Sequence, residues 1–428
     1  MTLLVLFGSF FAALIIGVPV AFALGLSSLI TVLFLELPPV IVFQRMGAGI
    51  NVFALMAIPF FIYAGELMLH GKIADRLVTL AGNALGHVRG GLGVVNVATS
   101  MLFGGISGSA VADASALGST LIPIMRKRGY DDDYSVNVTV SSATIGLTVP
   151  PSHNMIIYSI AAGGTVSVSS LFLAGFVPGI VTGLLLMAAA YVIAVRRGYP
   201  AEALPGWRAL FLSFVAASPG LMTAGIIVGG VLSGIFTATE SSAIAVIYAI
   251  LVTLLVYRSL TWKGFVAATL GAVRTTAIVL LVIGMAASFG WLLALEQVPA
   301  RLIDMLQTIS DNPIVILIII NVILLLLGTF MDMSPLIVIT TPIFLPIAVN
   351  LGMDPVQFGI MLMINLGIGL VTPPVGSVLF VGCAVAKIRM EDTLKSIWPF
   401  YLALILALIA VTYIPAVSMT LPNLFGGR

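Results

Sequence analysis

TIGLTVPPSHN (Thr144–Asn154) and GIGLVTPPVGS (Gly367–Ser377) decide how this chain folds. Each sets a glycine turn and a Pro-Pro pair inside a long apolar run. Proline gives up a backbone donor and disfavours helical geometry in the residue before it, so a helix entering either stretch must break. Inside hydrocarbon a broken backbone is tolerated only where it lines a cavity or another polar surface. The freed carbonyls can then face a cation, and the restarted helix turns its positive end toward an anion. Both stretches are therefore read as broken spans, over 134–163 and 355–386.

Composition supplies the hydrocarbon. The chain has 428 residues, 60% of them hydrophobic and only 8% charged, with a mean hydropathy of +1.21. A soluble domain carries roughly a quarter charged residues. The expected class is an all-α polytopic membrane protein in a lipid bilayer. A net charge of +2 is no footprint for nucleic acid. One cysteine, Cys383, excludes a disulfide framework, and His70, His87 and His153 are too scattered for a metal cluster. MTLLVLFGSFF has neither a basic n-region nor a cleavage site and is read as a retained first span.

Further apolar segments of spanning length run over 3–35, 51–70, 168–195, 209–233, 238–257, 274–294 and 397–418. Two others, 91–125 and 313–353, are interrupted at their middles by small or polar residues. His87 and Arg89 precede the first and Arg126, Lys127 and Arg128 follow it. Basic residues mark the cytoplasmic side, so 91–125 is expected to enter and leave from that side as a re-entrant hairpin. Counting spans makes 313–353 its mirror, opening outward.

Shifting the chain by 223 residues lays 105–151 on 328–374 without a gap, with ten of 47 positions identical. The Gly, Pro and Asp matches carry weight in so apolar a chain: Gly105/Gly328, Pro123/Pro346, Gly129/Gly352, Asp131/Asp354, Gly146/Gly369, Pro150/Pro373 and Pro151/Pro374. An odd number of crossings between the units makes them inverted repeats, about 51–195 and 274–418. Inverted repeats with broken helices are a mark of secondary transporters, with the site near the midplane.

Charges inside a membrane default to function. Asp113 is the only charge in 91–125 and Asp332 the only one in 313–353, each beside a hairpin tip, GGISGSAVAD or GTFMDMS. A sodium ion takes hard oxygen ligands. Candidate ion ligands are Asp113 and Asp332, the hydroxyls of Ser107, Ser109, Thr144, Thr148, Thr329 and Thr372, and the backbone at Gly108, Gly146, Pro150, Gly328 and Gly369. Singly, each hydroxyl serves equally well as helix–helix glue. Ser152, His153, Asn154, Asp332 and Ser377 are the candidate substrate contacts; capping of the restarted helix is the other role open to His153 and Asn154. Glu240 is expected in a solvated turn, Glu66 at the membrane interface, and Arg126–Arg128 to fix orientation. The phosphate loop, H-E-x-x-H and G-x-S-x-G patterns are missing, so ATP hydrolysis and the common hydrolase chemistries are not expected. A channel is disfavoured by two oppositely opening hairpins; an enzyme would have to use Asp113 and Asp332 as a pair.

At FGGISGSAVADASALGSTLIP (103–123), GYDDDYSVNVTVSSATIGLTVPPS (129–152), TATESS (237–242) and GIGLVTPPVGSVLFV (367–381) the sequence resembles the large, DctM-type permease of the tripartite ATP-independent periplasmic (TRAP) transporters. The resemblance covers essentially the whole chain. It implies an elevator mechanism, with the hairpins and broken spans moving against scaffold helices 1–70, 168–257, 274–294 and 397–418. It also implies sodium coupling, a small four-helix membrane subunit, a periplasmic substrate-binding protein, and an organic-acid substrate crossing the bacterial inner membrane. Substrates of sialic-acid or C4-dicarboxylate type are implied, and His153-Asn154 looks more like the former. The alternative is a divalent-anion/sodium symporter that needs no binding protein.

Overall fold

The computed structural model describes residues 1–201, 203 and 205–425. These are helical, with no strand among the described residues. Seven helices among them are long and apolar enough to cross a membrane, and Trp398–Tyr413 with Pro415–Phe425 makes an eighth span bent by 58°.

Two helix pairs joined by short turns stand at the expected hairpin segments, and both helices of the second pair are themselves of spanning length. Gly91–Ser107 and Ala110–Lys127 are joined by Gly108, whose φ of +63° suits glycine, and Ser109 caps the second helix by accepting from Ala112 N at 3.4 Å. Pro313–Phe330 and Met333–Asn350 are joined through Met331 and Asp332, and Asp332 is the cap. The first broken span runs as Asp132–Ala143, a tighter 3₁₀ turn at Thr144–Leu147, the Pro150-Pro151 pair, and a restart at His153–Ala161. The second runs as Pro355–Leu370, the Pro373-Pro374 pair, and a restart at Ser377–Ala386. Both Pro-Pro bonds are cis. Ala110 and Met333 open helices 223 residues apart, and so do Asp132 and Pro355.

Several boundaries differ from the sequence reading. The segment 3–35 is two helices, Thr2–Ile15 and Val20–Phe34, because Gly17 turns at φ +89° ahead of Pro19. The 274–294 segment is part of a 34-residue helix, Trp262–Leu295. Val40–Ile50 and Ile73–Leu85 are helices that hydropathy alone did not mark. Glu296–Asp311 contains the amphipathic helix Val298–Ile309.

The helices sort into two groups. Ala57–His70, Ala238–Leu251 and Trp262–Leu295 pack together, with Val20–Phe34 and Val40–Ile50 laid on the last of these. The hairpins and broken spans form the other group, and Val168–Arg196 and Trp398–Tyr413 belong with it. The latter two were expected among scaffold helices. Polar contacts explain their placement: Tyr134 Oη donates to Ala190 O at 3.0 Å, Gln357 Nε2 to Val411 O at 2.9 Å, and Tyr401 Oη to Val371 O at 2.7 Å. Gly175 of Val168–Arg196 sits so close to the first broken span that an added Cβ would lie 2.2 Å from Thr148 O.

Candidate transport site

A cavity of about 670 Å³ opens where the two groups meet. One wall is the helix Ala57–His70 (Ile62, Gly65, Glu66, Leu69) and the middle of Trp262–Leu295 (Thr275 to Val282). The opposite wall is both hairpin tips, Ser107–Ala112 and Asp332–Pro335, with His153 and Asn154 between them. Asn154 ties the tips together: its Nδ2 donates to Gly108 O at 3.3 Å and its Oδ1 accepts from Ser334 Oγ at 3.4 Å.

Three helices therefore begin at this wall, at Ala110, His153 and Met333. Helix N-termini carry unpaired N–H groups and a partial positive charge, which is a ready site for an anion. Among the described residues that line the cavity there is no Lys or Arg. The formal charges there are carboxylates, those of Asp332 and Glu66. Asp332 accepts from Met333 N at 2.9 Å through Oδ1 and is exposed to the cavity.

Behind the first tip lies a denser polar cluster. Asp113 is fully buried, its Oδ1 accepting from Ser107 Oγ. Its Oδ2 has no hydrogen-bond partner and faces two glycines: a Cβ on Gly146 would stand 2.7 Å from that oxygen, and one on Gly104 3.3 Å. An unpartnered buried carboxylate oxygen is expensive in an apolar medium unless a cation completes it. Ser107 Oγ also accepts from Ser109 N at 3.2 Å. Thr144 is buried with its hydroxyl donated to Ser141 O at 2.7 Å. Thr148 N donates to Ile145 O at 2.9 Å, and Pro150 O would stand 2.7 Å from a Cβ on Gly105.

The second cluster repeats this plan around the other tip. Gly328 packs on Gly369, where a Cβ on Gly369 would lie 2.6 Å from Gly328 C. Thr329 O accepts from Gly376 N at 3.4 Å and Gly369 O from Thr372 N at 3.0 Å. The hydroxyls of Thr329 and Thr372 donate to Leu326 O at 2.8 Å and Ile368 O at 2.7 Å. A hydroxyl whose proton is given to its own helix keeps its lone pairs for a cation. Ser377 Oγ and Ser152 Oγ are buried with no partner. Both clusters offer hard oxygens, which suit sodium, and the first adds the orphaned carboxylate oxygen of Asp113; no group of three His, Cys, Asp or Glu that would hold a softer metal occurs among the described residues.

The structure thus separates residues that the sequence grouped. His153, Asn154 and Asp332 line the cavity, as do Ser107, Gly108 and Ser109 of the ion-ligand candidates; Ser152 and Ser377, expected beside them, are not on its lining, and their Oγ atoms are buried. Glu66, expected at the interface, is on the cavity wall, its carboxyl 3.6 Å from His70 Nδ1. The missed signal is the glycine opposite: Gly271 leaves room for this side chain, and a Cβ there would be 3.1 Å from Glu66 Cδ. Glu240 is exposed and closes a capping box with Thr237, as its solvated-turn reading expected. Arg126 does more than orient: it pairs with Asp132 at 2.7 Å and donates to Ala386 O at 2.9 Å, joining the first hairpin to the end of the second broken span.

Hairpin tips and broken helices meeting at a charged cavity inside a helical membrane protein define a secondary transporter. A family model described as "Tripartite ATP-independent periplasmic transporter, DctM component" matches residues 7–417, and the chain belongs to that family. It is a large permease subunit, multi-pass in the inner membrane. It is 46% identical to the uncharacterized protein YgiK of Salmonella typhimurium over 99% of this chain and 98% of that one. It is 41% identical to the sialic acid TRAP transporter large permease protein SiaM of Vibrio cholerae over 90% of each chain. It is 36% identical to the C4-dicarboxylate TRAP transporter large permease protein DctM of Rhodobacter capsulatus over the full length of both. The fold is similar to that of the Alcanivorax borkumensis YdaH transporter, with a TM-score of 0.64 at 14% identity, covering 89% of each chain.

Proposed function

We propose that this permease takes up an organic acid anion by sodium symport, with a small membrane subunit and a periplasmic binding protein completing the transporter. The observation that carries the reading is the cavity wall at Ala110, His153 and Met333, where three helix N-termini converge without a basic side chain. Such a wall attracts a carboxylate but cannot neutralise it, given Asp332 beside it. Cations at the two clusters behind the tips supply the missing positive charge, which makes acid and sodium binding mutually dependent. Asn154 links the tips, so filling one cluster is felt at the other. Relatives named for sialic acid, C4-dicarboxylate and 2,3-diketo-L-gulonate (carboxylates) and for isethionate (a sulfonate) all take organic acid anions by name, which supports the class without choosing within it.

Translocation follows an elevator path. The hairpins, the broken spans, Val168–Arg196 and Trp398–Tyr413 move as one body past Ala57–His70 and Trp262–Leu295. Inverted repeats around 51–195 and 274–418 supply the two alternating states.

Reconstitution of the permease with both partners in liposomes tests this. Labelled N-acetylneuraminate or succinate should accumulate when sodium is higher outside, and accumulation should collapse with a sodium ionophore. Uptake indifferent to sodium would contradict symport. Uptake by this chain alone would favour a symporter that needs no binding protein.

A further inference from the structure

The far wall of the cavity holds a group that the reading above leaves without a role. Glu66 stands on Ala57–His70, across the cavity from the hairpin tips, among Ile62, Leu69 and Val279. Its carboxyl is partly exposed there, at 23% for the side chain, and Gly271 of the neighbouring helix is spaced to admit it. His70 Nδ1 lies 3.6 Å from Oε2 and 3.0 Å from Glu66 O, so the imidazole is held one turn away, off the cavity lining. A carboxylate set among apolar side chains is costly and is not needed there for packing alone.

We infer that Glu66 makes acid binding conditional on the cation: its fixed negative charge on the far wall rejects an organic anion that enters without sodium. The inference rests on the sodium-symport reading. With Asp332 on one wall and Glu66 on the other, an anion between them is repelled from both sides, and the helix N-termini alone do not offset two carboxylates. Sodium at the hairpin clusters offsets the Asp332 side and tips the balance. Without Glu66 the anion meets one carboxylate instead of two, and the requirement relaxes. Glu66 is therefore a specificity-determining residue for coupling, contributing discrimination rather than affinity.

Thermal unfolding of the purified full chain reads this directly, since a ligand that binds only the folded state raises its stability. The probes are succinate and N-acetylneuraminate, in sodium or choline chloride at equal ionic strength and about pH 8, where an ordinary carboxyl is ionised. Wild type should be stabilised by acid in sodium only. Glu66→Gln should gain stabilisation by acid in choline, smaller than in sodium because Asp332 remains, and Glu66→Asp, which keeps the charge, should return to the full sodium requirement. Glu66→Met, of similar size in an apolar wall, replaces Gln if that variant expresses poorly. A Glu66→Gln or Glu66→Met protein that still needs sodium, or a wild type stabilised equally in choline, overturns the inference while leaving acid binding intact. A wild type stabilised by neither acid in sodium overturns the functional reading beneath it.

Discussion

The two hairpins share a backbone plan but place their carboxylates one helical turn apart. Ser109 and Asp332 occupy the same position, capping helices that begin 223 residues apart. One turn further on, Asp113 of the first hairpin is matched by Leu336 of the second. The first carboxylate is sealed against Gly104 and Gly146; the second opens to the cavity. Their surroundings follow suit. Asn96 donates to Thr139 Oγ1 at 2.7 Å and accepts from Ser142, whereas Asn365, which replaces Ser142, donates to Asn321 Oδ1 at 2.8 Å. The matching backbone thus carries two different carboxylates, a buried one with an unpartnered oxygen in the first hairpin and a cavity-facing one in the second.

Four experiments break or sharpen that comparison. Leu336→Asp writes the first half's residue into the second, where Leu336 is fully buried. A buried charge left uncompensated costs about 3–5 kcal/mol, so folded protein should be lost on size exclusion. A well-behaved variant would mean that the second hairpin can house a sealed carboxylate too.

Asp113→Leu makes the reverse exchange. It should fold and lose sodium-specific thermal stabilisation, an effect of about 2.7 kcal/mol at a hundredfold excess over Kd. Retained stabilisation would move the ion away from Asp113.

Gly146→Ala and Gly369→Ala press a methyl into matching glycine contacts. Each should cost about 1–3 kcal/mol by overpacking. Gly146→Ala, which pushes on Asp113 Oδ2, should also shift the sodium dependence, and by more than Gly369→Ala does. Equal shifts in both would argue for equivalent clusters.

The smallest effect concerns Asp133, matched by Val356 in the other half. Burial raises this carboxyl, but hydrogen bonds from Arg197 and Ser396 outweigh it and hold it below its ordinary value. Arg197 NH1 is 2.9 Å from both Asp131 and Asp133, tying the start of the first broken span to the end of Val168–Arg196. A lowered value in the folded state means stability that is present above about pH 4 and is lost as pH falls through the folded value. Asp133→Asn should remove about 1 kcal/mol at neutral pH and flatten the acid side of the stability profile. An unchanged acid limb would assign the pH dependence elsewhere.

Much of this arrangement is legible in the sequence because it is punctuation. Pro-Pro breaks a helix, and Gly108 turns at positive φ, so the first tip and both broken spans can be placed from Gly108, Pro150-Pro151 and Pro373-Pro374. Asp113 and Asp332 stand out because nothing else in their segments is charged. What is not legible is direction. Ser152 and His153 are adjacent, yet only His153, the first residue of the restarted helix, lines the cavity. Glu66 lies in an apolar run whose partner, Gly271, is some two hundred residues away. The grouping of Val168–Arg196 and Trp398–Tyr413 rests on which apolar faces meet and on polar contacts such as Gln357 to Val411, neither of which hydropathy registers.

Equilibrium binding of radioactive sodium to the purified full chain tests the central claim most directly. Binding should saturate, be displaced by unlabelled sodium and not by potassium, and fall by the share held at the first cluster in Asp113→Asn. Binding that does not saturate, or that is the same in Asp113→Asn as in wild type, would contradict the account.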